Sequence, residues 1–138
     1  MRSESIFVPV SVLALWTGAV LLLTAFRRLR AVAAGRIRGD AFRFGESPDV
    51  PPDVVLANRN FMNLLEMPLL FYVVCIASYV THHVGRVLLT LAWIYVGLRL
   101  AHSLVHLTTN RIRRRLVLFA TSNFVLVAMW IGFLRRVL

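Results

Sequence analysis

The feature that most limits what this chain can fold into is its division into four long apolar blocks. The first, Ile6 to Phe26, runs 21 residues without a charge. The second extends from about Asn60 to Thr81 and is interrupted by Asn63 and Glu66. The third, about Val87 to Leu107, is interrupted by Arg99, His102 and His106. The fourth, Leu116 to Leu134, runs 19 residues without a charge. A helix that crosses a bilayer needs roughly 20 predominantly apolar residues at about 1.5 Å each. A soluble helix of that length shows a charged face on a 3.6-residue period, and the first and fourth blocks have none. The pattern predicts an all-α, integral membrane four-helix bundle. It forms one domain over residues 1–138, with helices at about 6–26, 60–81, 87–107 and 116–134.

Hydrophobic residues make up 59% of the chain, yet the formal net charge is +10. All 16 basic residues are arginine. High charge on an apolar chain suits nucleic acid or a membrane surface, and position decides between them. The arginines cluster at the ends of the apolar blocks, as membrane flanks do, and no nucleic-acid module is recognisable, so nucleic acid is excluded as a partner. Ala31-Val32-Ala33 imitates a signal-peptide cleavage site. The apolar run before it is longer than a signal core of about 7–15 residues, and Arg27, Arg28 and Arg30 follow directly, so the first block is expected to remain as a span. Cys75, the single cysteine, sits mid-block and reads as a small core residue.

Four spans put both termini on one side. The loop after the first block carries Arg27, Arg28, Arg30, Arg36, Arg38 and Arg43, and the loop before the fourth carries Arg111, Arg113, Arg114 and Arg115. The other side has Arg2, Arg86, Arg135 and Arg136. Ten arginines against four place the two Arg-rich loops in the cytoplasm and the termini outside. The connections "THHVGR" and "TTNRIRR" are tight, so the last three spans should pack as antiparallel neighbours. "GESPDVPPDV", Gly45 to Val54, reads as irregular, and the first helix has room to extend past the membrane through "RRLRAVAAGRIR".

The polar intrusions are spaced helically. Arg59, Asn63 and Glu66 fall at i, i+4, i+7, and Arg99, His102 and His106 at i, i+3, i+7, so each set shares one face. Glu66 lies roughly 10 Å in from Arg59, and Arg99 roughly 12 Å in from Leu107, so the two reach similar depth. An unpaired charge in a bilayer costs at least about 2.5–3.5 kcal/mol, so these groups should face inward and pair. Two compatible readings follow: a structural Glu66–Arg99 ion pair with Asn63 joining helices, or a polar pocket with that pair as its floor. His102 and His106 at i, i+4 have the spacing of metal ligands. They lack the adjacent glutamate of a zincin and any obvious third ligand, so no metal is expected.

"RNFMNLLEMP", Arg59 to Pro68, and "GLRLAH", Gly97 to His102, on four short spans resemble the MAPEG family, membrane-associated proteins in eicosanoid and glutathione metabolism. The resemblance covers essentially the whole chain. It implies a homotrimer in contact with membrane lipids, with glutathione as cosubstrate held between subunits near the cytoplasmic face. By resemblance the glutathione-binding residues are Arg28, Arg59, Asn63, Glu66, Arg99, His102 and His106, with Arg27 and Arg30 beside Arg28. The arginines would clamp carboxylates, Glu66 would accept the amine, and Asn63 would bond a peptide amide. The family's thiolate-stabilising arginine aligns best with Arg115, with Arg113 and Arg114 as neighbours. A free thiol ionises near about 8.5, and a nearby cation lowers that value.

The implied activity is a glutathione transferase or peroxidase of detoxification type, acting on lipophilic small molecules that enter from the bilayer. The other reading on the same fold is a non-enzymatic lipid-binding or scaffold protein. A transporter would need polar residues through the full depth of the spans, and here they crowd one half. The chain departs from the family pattern at His106, where several family enzymes carry tyrosine. It also departs at Met62, where many carry arginine, and at Leu116, where a polar residue is usual. These departures point away from eicosanoid substrates. The arginine-only basic set suggests a GC-rich genome and a bacterial inner membrane.

Overall fold

The computed structural model describes residues 2–43 and 47–138. A 3-10 turn, Ser3–Ile6, leads into α1, Phe7–Ala33, and a second 3-10 turn spans Gly39–Phe42. Then come α2 (Pro52–Leu65), α3 (Met67–Val80), α4 (Arg86–Leu107) and α5 (Ile112–Val137). No strand occurs among the described residues, so the chain is all-α. Four helical stretches of 31, 29, 22 and 26 residues are long and apolar enough to cross a membrane; the second is α2 and α3 together.

α1 runs past its apolar block because arginine, leucine and alanine are good helix formers. It stops where Gly35 takes φ +65°: the Gly35 N–H bonds to the Val32 carbonyl at 2.9 Å and the Arg36 N–H to the Ala31 carbonyl at 3.0 Å. That pair of hydrogen bonds is a Schellman cap, which needs a residue tolerant of the left-handed region. α2 starts at Pro52, earlier than the apolar pattern suggests, with proline at its first position and Asp53 in its first turn. Both suit a helix N-terminus, since proline has no N–H to leave unpaired and a carboxylate favours the dipole. The irregular segment expected from Gly45 to Val54 is thus corrected at its end, because Pro52, Asp53 and Val54 are helical. Gly45 and Glu46 lie outside the described residues.

The second span is broken. Glu66 takes φ −73° and ψ −90° and separates α2 from α3. The cause is Pro68, which has no N–H for the Leu64 carbonyl and crowds the preceding turn. An unbroken helix over 60–81 is therefore corrected to two helices meeting at Glu66.

α4 packs most extensively on α5, α1 lies against α2 and α4, and α3 lies against α5. The core joins Leu13 and Val20 of α1, Leu64 of α2, Phe71 and Val74 of α3, Tyr95 of α4 and Met129 of α5. Phe71 stacks on Tyr95 with centroids 4.7 Å apart. Leu15 and Phe124 are each 75% exposed, which suits side chains that meet lipid tails. Ser103 ties three helices at the centre: its Oγ accepts from Trp16 Nε1 at 2.9 Å and from Asn60 Nδ2 at 2.7 Å. Outside the apolar zone, Arg36 pairs with Asp53 at 3.1 Å, Arg27 donates to the Asp53 carbonyl at 2.7 Å, and Ala31, Val50 and Val54 form a small second core.

Candidate functional site

A cavity of about 270 Å³ opens between α2, α4 and α5 at the end bearing the Arg-rich loops. Asn63, His102, Arg115 and Phe119 line it, with Ile112 and Leu116 at its side. Arg99 lies beneath, 1% exposed, although its guanidinium keeps a full charge. Its surroundings account for that. The last carbonyls of a helix have no intrahelical donor, and the break at Glu66 creates such an end inside the bundle. Arg99 Nη2 donates to the Asn63 carbonyl at 3.1 Å. The guanidinium also sits 5.4 Å from the Phe119 ring centre and 5.7 Å from that of Tyr95, in reach of cation–π attraction. Its Nε and Nη1 make no hydrogen bond within the chain.

The histidines stand one turn apart on α4, both buried, with ring centres 5.9 Å apart. His102 also approaches the Phe119 ring at 5.9 Å. Neither nitrogen of His106 has a hydrogen-bond partner within the chain. Arg115 bonds to Asn110 Oδ1 at 2.6 Å, and Asn110 holds the turn between α4 and α5 with φ +46°. Asparagine tolerates that left-handed conformation. Arg115 is half-buried and lines the cavity, while Arg113 and Arg114 are exposed.

The structure therefore brings Asn63, Arg99, His102, His106 and Arg115 to one end of the bundle. Arg59 and Glu66 differ from the inward-facing expectation, since both are exposed, Arg59 on the outer side of α2 and Glu66 at the break that follows it. The buried side of α2 is Val54, Ala57, Asn60 and Leu64. Asn63 is half-buried and bonds back to the Arg59 carbonyl at 3.0 Å. The Glu66–Arg99 ion pair is not formed; the ion pairs among the described residues are Arg36–Asp53 and Arg38–Asp40. Within one chain Arg28 does not reach the cavity. It donates to Asn58 Oδ1 at 3.0 Å and lies 5.2 Å from the Phe42 ring centre, in the α1–α2 layer.

Sequence reading missed Asn60, Ser103 and Phe119. The signal for Asn60 was the i, i+3, i+6 run with Val54 and Ala57, which marks the buried stripe of α2.

No curated protein matches the chain, and no solved structure does. The MAPEG family model matches residues 6–135. That match takes in all four spans, the helix break and the buried arginine, and it makes the chain an integral multi-pass membrane protein of the MAPEG family, whose chemistry is glutathione-related.

Proposed function

We propose that the protein is a membrane-embedded glutathione transferase- or peroxidase-like enzyme. It works as a homotrimer, with the Arg-rich loops in the cytoplasm and the termini outside a bacterial inner membrane. The observation that carries this reading is Arg99: a buried cation with two donor groups uncommitted, bonded to Asn63 and packed on Phe119 in the wall of a cavity that His102 and Arg115 also line. A buried, incompletely satisfied cation seeks an anion, and each missing partner costs about 1–3 kcal/mol or more. Glutathione is an anionic tripeptide with two carboxylates and one amine.

Arg99 and Arg59 serve its carboxylates, Glu66 its amine and Asn63 a peptide amide. Arg59 and Glu66 face outward, which fits a ligand held between neighbouring copies of the chain. Arg28 then acts from a neighbouring subunit. Arg115 stabilises the thiolate left when the thiol proton departs to solvent. The sulfur forms a bond to an electrophilic carbon of the second substrate, and the leaving group takes the electron pair. With a hydroperoxide, the sulfur attacks the outer oxygen and the alkoxide leaves as the alcohol; a second glutathione then displaces water to give the disulfide.

The test is calorimetry of glutathione binding to the protein in detergent, beside Arg59→Ala and Glu66→Ala. Each variant should lose about tenfold in affinity, the loss of one charged contact, and keep its fold, since both positions are exposed. A folded trimer that binds no glutathione would sink the transferase reading in favour of a lipid-binding or scaffold protein on the same fold.

A further inference from the structure

We propose that the opposite end of the bundle holds a second site, which takes a fatty acid with its carboxylate at Arg136 and its first methylenes between α3, α4 and α5. A gap of about 80 Å³ lies there. That is several times the roughly 10–15 Å³ that admits one water. Its walls are mostly carbon, from Leu88 and Leu91 of α4 and Ala128, Met129 and Phe133 of α5. The gap exists because α5 carries small residues there. Ala128 and Gly132 are one turn apart, and a Cβ built on Gly132 would meet nothing within 4 Å. Small residues on membrane helices usually bring neighbouring backbones together, and here the space stays open.

Three polar groups meet this gap. Ser78 is 1% exposed and its Oγ makes no hydrogen bond within the chain. His83 Nδ1 is buried and equally unpartnered. Arg136 stands at the mouth with Nη1 donating to the His83 carbonyl at 2.9 Å, which leaves its other donors available. A cation with unpartnered hydrogen-bonding groups beside apolar walls fits a carboxylate followed by methylenes. Ser78 and Arg136 lie in the last turns of α3 and α5 and His83 in the connection between α3 and α4, so the head group lies at interface depth, where a lipid carboxylate sits. The walls extend from Arg136 back to Ala128, roughly 12 Å along α5. The narrow gap takes one chain, which favours a fatty acid over a two-chain phospholipid. The site is independent of the glutathione reading, because it shares no residue with the cavity at the other end.

The experiment uses the full chain in a non-ionic detergent. A fatty acid carrying a diazirine close to its carboxylate is photolysed, and the labelled residues are mapped by mass spectrometry. Labelling should concentrate on Val87 to Leu91 and Ala128 to Phe133 and fall about tenfold in Gly132→Leu, which fills the gap. In Arg136→Gln it should fall about fivefold for the acid but not for the matching fatty alcohol, the loss of one charge-assisted contact. Arg136 is exposed, so that variant folds even if Gly132→Leu does not. Three results would overturn the proposal. One is labelling spread over outer residues such as Leu15 and Phe124 and indifferent to both substitutions. Another is equal labelling by acid and alcohol in the unaltered chain. The third is displacement of the probe by anionic phospholipid but not by excess oleic acid.

Discussion

The two ends of this bundle handle arginine in opposite ways. At the end with the Arg-rich loops, Arg99 is sunk among helices and balanced by a backbone carbonyl and two aromatic rings. At the other end, Arg136 stays at the rim and touches a carbonyl with one arm. The first arrangement needs a helix to be broken to supply the carbonyl. The second needs only a turn. The buried cation therefore belongs to the architecture as well as to any ligand, whereas the rim cation can be changed without disturbing the fold.

That contrast can be broken most forcefully at Arg99. Arg99→Ala removes a buried cation together with its bond and ring contacts, and should cost about 3–5 kcal/mol of stability along with all glutathione binding. Unfolding in mixed detergent micelles, followed by circular dichroism, measures it; stability equal to that of the unaltered chain would contradict the architectural role. Next in size, Arg115→Ala should slow conjugation about 10²-fold with little loss of stability, the effect of deleting one group that stabilises developing charge. The exposed Arg113→Ala and Arg114→Ala should change the rate by no more than about twofold, and a larger effect of either would move the thiolate-stabilising role to that residue. Ser103→Ala leaves the buried Asn60 amide and the half-buried Trp16 N–H unpaired between the two ends, at a cost of about 2 kcal/mol in the same unfolding assay. Smallest of all is Gly85→Ala. Its new Cβ would lie 3.0 Å from Arg136 Nη1, but that guanidinium is free to shift. The change should stay below about 0.5 kcal/mol, and a larger one would show the rim arginine to be fixed.

Length and hydropathy made the four spans legible, because lipid leaves the backbone almost no alternative to helix. The same signal was blind to Pro52 through Asn58, a short helical stretch cut off from the apolar block by Arg59, whose start was marked by proline and aspartate chemistry instead. It was also blind to the break at Glu66, because neighbouring helices often let a membrane helix absorb a proline, and only packing shows whether one does. Spacing brought Arg99, His102 and His106 to one face correctly. It misassigned α2, where the inward stripe runs through Asn60 and the expected Arg59 and Glu66 turn outward. One sequence cannot tell a face that meets its own chain from one that meets a neighbour.

The break at Glu66 has a mechanical consequence. Backbone hydrogen bonds that stiffen a continuous rod are already missing between Leu64 and Pro68, so α2 and α3 form a jointed rod. Bilayers differ in thickness, and a span adapts by tilting or bending. In this chain the joint is the compliant point, and Arg99 is fastened to α2 at Asn63, just before it. A thinner membrane tilts α3 and leaves the α2 end in place, so the polar cavity keeps its geometry while the far end of the bundle takes up the deformation.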